Sequence, residues 1–125
     1  MNKEDLFSIT FILSIILTRI YLYFWPISNP IIAGLKVHHW MIGVLIILIY
    51  FIISYFKEED VIIVIFAVGL GLVVDELTFV LTGGKNHADN YTTLTIIGTI
   101  IFAAIVLFCQ KYIFKFIPLK EHKKK

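Results

Sequence analysis

Two pairs of ionisable residues, His38-His39 and Asp75-Glu76, lie inside otherwise apolar stretches of this chain, and Arg19 lies inside another. Ionisable groups at the centre of a bilayer cost about 2.5–3.5 kcal/mol each on insertion scales, so they normally have a partner and a purpose. Imidazole beside carboxylate serves three kinds of chemistry. It binds zinc or non-haem iron, with an open coordination position that activates water and a spare carboxylate as base. It holds and relays protons or coupling ions. It also simply pins helices together through hydrogen bonds and ion pairs.

On the first of these, His38, His39 and Asp75 are the candidate metal-binding groups, with Glu76 (as base) and Arg19 (as charge partner) the candidate catalytic ones. Metal-assisted hydrolysis is the natural reaction, on a substrate entering from lipid or from the outer face. The spacing supports this only in part. Adjacent helical residues diverge, whereas metal-binding helices present ligands three or four apart, and neither H-x-x-x-H nor H-x-x-E occurs within a helix. His87 and Asp89, further along, are available to complete a shell. Five ionisable groups exceed what packing alone requires, which sets metal or catalytic use slightly ahead of helix pinning. Transport ranks third, because the inner halves of the helices hold few polar groups.

Other chemistries find no footing. Gly69-Leu70-Gly71 lies within an apolar run rather than at a strand-to-helix turn, so it is not a phosphate loop. No serine sits beside a histidine in a nucleophile-elbow context. The single cysteine, Cys109, can form neither an internal disulfide nor a thiol cluster.

The elements that must position these groups are read from hydrophobicity. The 125 residues are 59% hydrophobic and 16% charged, more apolar and less charged than a soluble domain. Apolar runs at about 6–25, 37–56, 61–81 and 93–117 each approach or exceed the ~20 residues that cross the hydrocarbon core as helix. The sequence therefore predicts an all-α, four-helix transmembrane bundle forming one domain over 1–125, with a basic tail at 118–125. The first run is too long for a cleaved leader and ends in Phe24-Trp25-Pro26, so it is expected to be retained. Pro26 and Pro30 around Ser28-Asn29 mark a turn, Gly83-Gly84 a left-handed cap to the third helix. The stretch 31–36 is a short interfacial segment or an early turn of helix two. Short connections predict that consecutive helices are antiparallel neighbours.

Charge sets the expected orientation. Eight of the eleven basic residues, Lys3, Lys57, Lys111, Lys115, Lys120, Lys123, Lys124 and Lys125, fall on the side of the termini; Lys36 and Lys85 fall on the other, with Arg19 inside helix one. The positive-inside rule then places both termini in the cytoplasm of a cell-membrane protein. The lysine tail is expected to meet anionic lipid head groups, at about 1 kcal/mol per basic residue. Without interleaved aromatics or a second basic patch, nucleic acid is not an expected partner; lipid is, and a second copy of the chain is compatible. Tyr21, Tyr23, Trp25, Trp40 and Tyr91 form an aromatic belt toward the outer interface.

This orientation gives depth. Arg19 lies ~9 Å below the outer face, Asp75 and Glu76 ~8–9 Å below it, and His38 and His39 in the first outer turn of helix two. All five groups share the outer half of the membrane. Gly71, Asp75, Thr78 and Thr82 follow one helical stripe, Ala67 and Gly71 form a close-approach pair, and Gly43 shares a face with His39. Asp75 and His39 are expected to face each other, with Glu76 and His38 turned about 100° away.

The segments Val37-His38-His39-Trp40-Met41-Ile42-Gly43 and Gly69-Leu70-Gly71-Leu72-Val73-Val74-Asp75-Glu76 resemble those of a group of small prokaryotic integral membrane proteins of uncharacterised function. That group has an H-H-aromatic-x-x-G helix start and a G-x-G-x-x-x-D-E helix, whose next loop often carries acidic and Tyr-Trp residues. Here the loop reads Lys85-Asn86-His87-Ala88-Asp89-Asn90-Tyr91, with Thr92 where the tryptophan would stand. The resemblance covers the middle half of the chain. It implies that the two pairs belong to one site, and carries no activity with it.

Overall fold

Long apolar runs with few helix breakers fold as helices, and the computed structural model has four. They are α1 (Lys3–Phe24), α2 (His39–Ile53), α3 (Glu59–Leu81) and α4 (Thr93–Phe116). The residues described are 1–24, 31–32, 35–56, 58–83 and 92–116. The expected turn at Pro26–Pro30, the loop Lys85–Tyr91 with His87 and Asp89, Lys57, Trp25, Gly84 and the tail at 118–125 lie outside them. Ahead of α2, β1 (Ile31–Ile32) and β2 (Leu35–Lys36) pair antiparallel, Ile31 opposite Lys36 and Ile32 opposite Leu35. The stretch 31–36 is thus a minimal ladder rather than a turn of helix.

Three helices, α1, α3 and α4, are long and apolar enough to cross a membrane. The bundle's outer surface is apolar, with Leu17, Leu45, Leu48, Ile52, Ile100 and Phe108 more than half exposed, while Asp75 and Glu76 are 1% exposed. Greasy outside and charged inside is the arrangement of an integral membrane protein. The second helix departs from expectation. At 15 residues it is shorter than the run at 37–56 predicts, because His38 is extended (φ −92°, ψ 152°) and 54–56 leave the helix as a turn.

The connectivity of contacts also differs from the simple neighbour expectation. Helix α3 packs against α1, α2 and α4, and α1 meets α4 lightly, but α1 and α2 do not pack against each other. The cause is visible in α3. Residues two apart on a helix point to nearly opposite sides, and Gly69 and Gly71 each admit a different helix. A Cβ on Gly43 would lie 2.6 Å from the Gly69 carbonyl oxygen, so α2 rests backbone to backbone on α3. Gly71 lies against Ser14 of α1 with no room for a side chain between them. Below this level Phe7 and Phe11 of α1 pack with Ile63, Ala67 and Val74 of α3, while Tyr50 and Ile62 join α2 to α3. Lys3 pairs with Glu59 at that end, and Ser8 Oγ donates to Gln110 Oε1 at 2.8 Å between α1 and α4. At the opposite end Gly83, at φ 68°, closes α3 in the left-handed conformation.

Because the atom opposing Gly43 is backbone, it cannot rotate away. Gly43→Ala is expected to destabilise the protein by about 1–3 kcal/mol through forced separation of α2 from α3. Chemical unfolding in detergent measures this; an unchanged midpoint would mean that the two helices are not held at this distance.

Candidate functional site

The bundle brings all five sequence-predicted groups together at the end where α1 and α3 finish and α2 and α4 begin. Three helices supply them: Arg19 near the end of α1, His38 and His39 at the start of α2, and Asp75 and Glu76 in the last two turns of α3.

Asp75 is held from two sides. Arg19 Nε donates to its Oδ1 at 2.6 Å, and His39 Nε2 lies 2.9 Å from its Oδ2. Arg19 Nη2 donates to the Asp75 main-chain carbonyl at 3.0 Å and to Thr99 Oγ1 at 3.0 Å. Thr99 Oγ1 in turn lies 3.4 Å from that carbonyl oxygen. The guanidinium therefore ties α1 to both α3 and α4.

Glu76 holds the start of α2. Its Oε1 lies 2.9 Å from His38 Nδ1, and its Oε2 accepts from the Trp40 backbone N–H at 3.1 Å. Oε2 also lies 3.1 Å from His39 Nδ1. A helix begins with backbone N–H groups that have no partner within the helix and with a positive dipole end. No side chain of α2 caps them at His38; the carboxylate of Glu76 does so from the neighbouring helix. This also explains the short α2. His38 leaves the helix so that its ring can reach Glu76, while His39 stays in it and reaches both acids.

Glu76 is therefore not turned away from the site, as a stripe through Asp75 alone predicts. Both carboxylates are 1% exposed. The divergence of neighbouring side chains is used instead of being a difficulty: Asp75 reaches α1 and α2, and Glu76 reaches only α2. The histidines are less enclosed, with side chains 23% (His38) and 14% (His39) exposed, and the His38 ring leans on Phe79.

Both ring nitrogens of His39 lie within hydrogen-bond distance of carboxylate oxygens, Nε2 of Asp75 and Nδ1 of Glu76. An imidazolium donates to both, whereas a neutral ring donates to one and accepts from the other only where that acid carries the proton. Either arrangement places one proton beyond a neutral ring among His39 and the two acids.

The same contacts bear on a metal. One ring can offer an ion one nitrogen, yet the two nitrogens of His39 point at different acids, and a guanidinium already lies on Asp75. Among the described residues no three His, Cys, Asp or Glu side chains are arranged to hold a metal ion. Two members of the site were not anticipated. The Trp40 N–H is a backbone group and has no letter in the sequence. Thr99 was legible in principle, since Thr92, Thr95 and Thr99 recur on one face of an apolar helix. Family models, curated proteins and solved structures were all compared with the chain, and nothing matches.

Proposed function

We propose that this is a proton-linked membrane protein, in which the Arg19–Asp75–His39–Glu76–His38 cluster takes up and releases a proton and thereby sets how firmly the start of α2 is held on α3. The observation that carries this reading is His39 with each ring nitrogen on a different buried carboxylate. The proton it holds has no second nitrogen to move to, so its loss leaves an unbalanced negative charge, and its gain on an acid weakens the cap on α2. The task such a site suits is proton- or cation-linked transport. Between the cluster and the Lys3 end the described residues offer mainly apolar side chains, so a complete path needs α2 to move or a second copy of the chain to contribute.

Charge asymmetry supports a cell-membrane orientation with both termini cytoplasmic and the cluster in the outer half. The lysine tail then lies against anionic head groups. The resemblance to small prokaryotic membrane proteins is consistent with His38-His39 and Asp75-Glu76 acting as one unit.

The test is proton flux in vesicles containing the purified protein. The wild type is expected to dissipate an imposed pH gradient, and Glu76→Gln, which removes an ionisable group but keeps an acceptor for the Trp40 N–H, is expected to abolish the flux. Equal flux in the two, or none in the wild type, would rule the reading out. The metal-hydrolase reading remains directly measurable: near-stoichiometric zinc or iron in untagged protein, lost in His38→Ala/His39→Ala, would replace the proton reading.

A further inference from the structure

Helix α4 hides threonines and exposes its aliphatic residues. Its fully buried positions between Thr93 and Lys115 are Thr95 and Thr99, while Leu94, Ile97, Ile100 and Ile101 face outward. Alanine or valine would fill the same space without a hydroxyl to satisfy. Thr99 is accounted for by Arg19 and the Asp75 carbonyl. Thr95 Oγ1 lies 2.7 Å from Thr92 Oγ1, and Thr92 is exposed at the end of the bundle.

Thr78 of α3 faces the same seam. Its Oγ1 and Cγ2 would each be 2.5 Å from a Cβ on Gly98, so the absent side chain of Gly98 is what admits it. Threonine on a helix ordinarily satisfies its hydroxyl on the carbonyl one turn back, as Thr18 and Thr82 do here. Thr78 does not: its Oγ1 is buried and has no hydrogen-bond partner among the described residues, on a residue 6% exposed. A buried hydroxyl without a partner is unfavourable, and a single bridging water removes that cost.

The register completes the series. Thr99 lies against Asp75 and Gly98 against Thr78, so in antiparallel helices Thr95 lies about one turn from Thr99 toward the end of the bundle, about 1.5–4.5 Å beyond the level of Thr78. Hydroxyls therefore run from exposed Thr92, through Thr95 and Thr78, to Thr99 and the Arg19–Asp75 pair, over about 10 Å of helix.

We propose that this α3–α4 seam is a hydrated proton route from the end of the bundle to Asp75, with Thr78 and Thr95 holding the water that links Thr92 to Thr99. Protons pass between hydrogen-bonded groups or through one intervening water, and the seam supplies donors and acceptors at each turn. The groups it serves are Arg19 from α1, His38 and His39 from α2, and Asp75 and Glu76 from α3; α4 contributes the Thr99 hydroxyl. The inference rests on the proton-linked reading for its purpose, but its hydration can be tested independently.

Two measurements on the full chain in lipid bilayers decide it. Water-edited solid-state NMR is expected to transfer magnetisation from water to the methyl groups of Thr78 and Thr95 as it does to that of Thr92; a dry Thr78 overturns the proposal. In the same bilayers Thr78→Val/Thr95→Val, which keeps side-chain shape, is expected to slow proton uptake after an external pH jump about tenfold or more, with the same final uptake and thermal midpoint. An unchanged rate overturns the route and assigns entry to the partly exposed His38 ring. If the wild type takes up no proton, the proton-linked reading fails, and a wet or dry Thr78 alone supports or overturns the hydrated seam.

Discussion

Asp75→Asn is expected to lower unfolding stability by about 3–5 kcal/mol, because it leaves the Arg19 guanidinium buried without its counter-charge. Few single substitutions elsewhere in the bundle should match this. The affected group touches three helices: Asp75 meets Arg19 and His39 directly, and Arg19 carries the link to Thr99. The loss should largely disappear in Arg19→Met/Asp75→Leu, since replacing both members of a buried pair by apolar groups is often neutral. Equilibrium unfolding of the wild type, Arg19→Met, Asp75→Leu and the double variant gives the coupling directly. Additive losses, with no recovery in the double variant, would mean that the pair is not the unit that holds α1 to α3.

The second large effect is on protons. His39→Gln keeps a side chain able to reach the acids but removes the imidazole, and it should abolish the uptake of roughly one proton per chain that the proton-linked reading assigns to this site. Its cost in stability should approach that of Asp75→Asn, about 3–5 kcal/mol, because two buried carboxylates then face a single guanidinium. Potentiometric measurement of proton uptake by the purified protein, beside its thermal unfolding, separates the two quantities. Normal uptake in this variant would place the exchanging proton elsewhere. The Arg19→Met/Asp75→Leu protein provides the complementary case, stable yet expected to be inactive in flux.

Much of this site was readable from residue order, for a physical reason. Membrane helices are long enough to count, and their direction alternates, so position along the chain becomes depth. That placed Arg19, His38, His39, Asp75 and Glu76 at one level. Gly43 next to His39 likewise marked the close approach of α2. What the residue order did not show was rotation and partner choice. The spacing of Gly69 and Gly71 puts α2 and α1 on opposite sides of α3, and this overrode the expectation that joined helices pack together. The extended His38 was hidden as well, because the cause is a Glu76 carboxylate satisfying a backbone N–H of another helix. Thr78 and Thr95 went unremarked as functional because threonine is common in apolar helices. Its meaning depends on whether it faces lipid or neighbour.

The shortness of α2 reaches beyond the protein itself. Fifteen helical residues extend about 22 Å, against a hydrocarbon thickness of about 30 Å. A lipid-facing helix that is too short is accommodated by compressing the bilayer beside it, at fractions of a kcal/mol per ångström. If α2 spans the bilayer with exposed Leu45, Leu48 and Ile52 against lipid, local thinning on that flank would bring the head-group layer toward His38. Membranes of greater thickness or stiffness would then load the same helix whose start is held by Glu76.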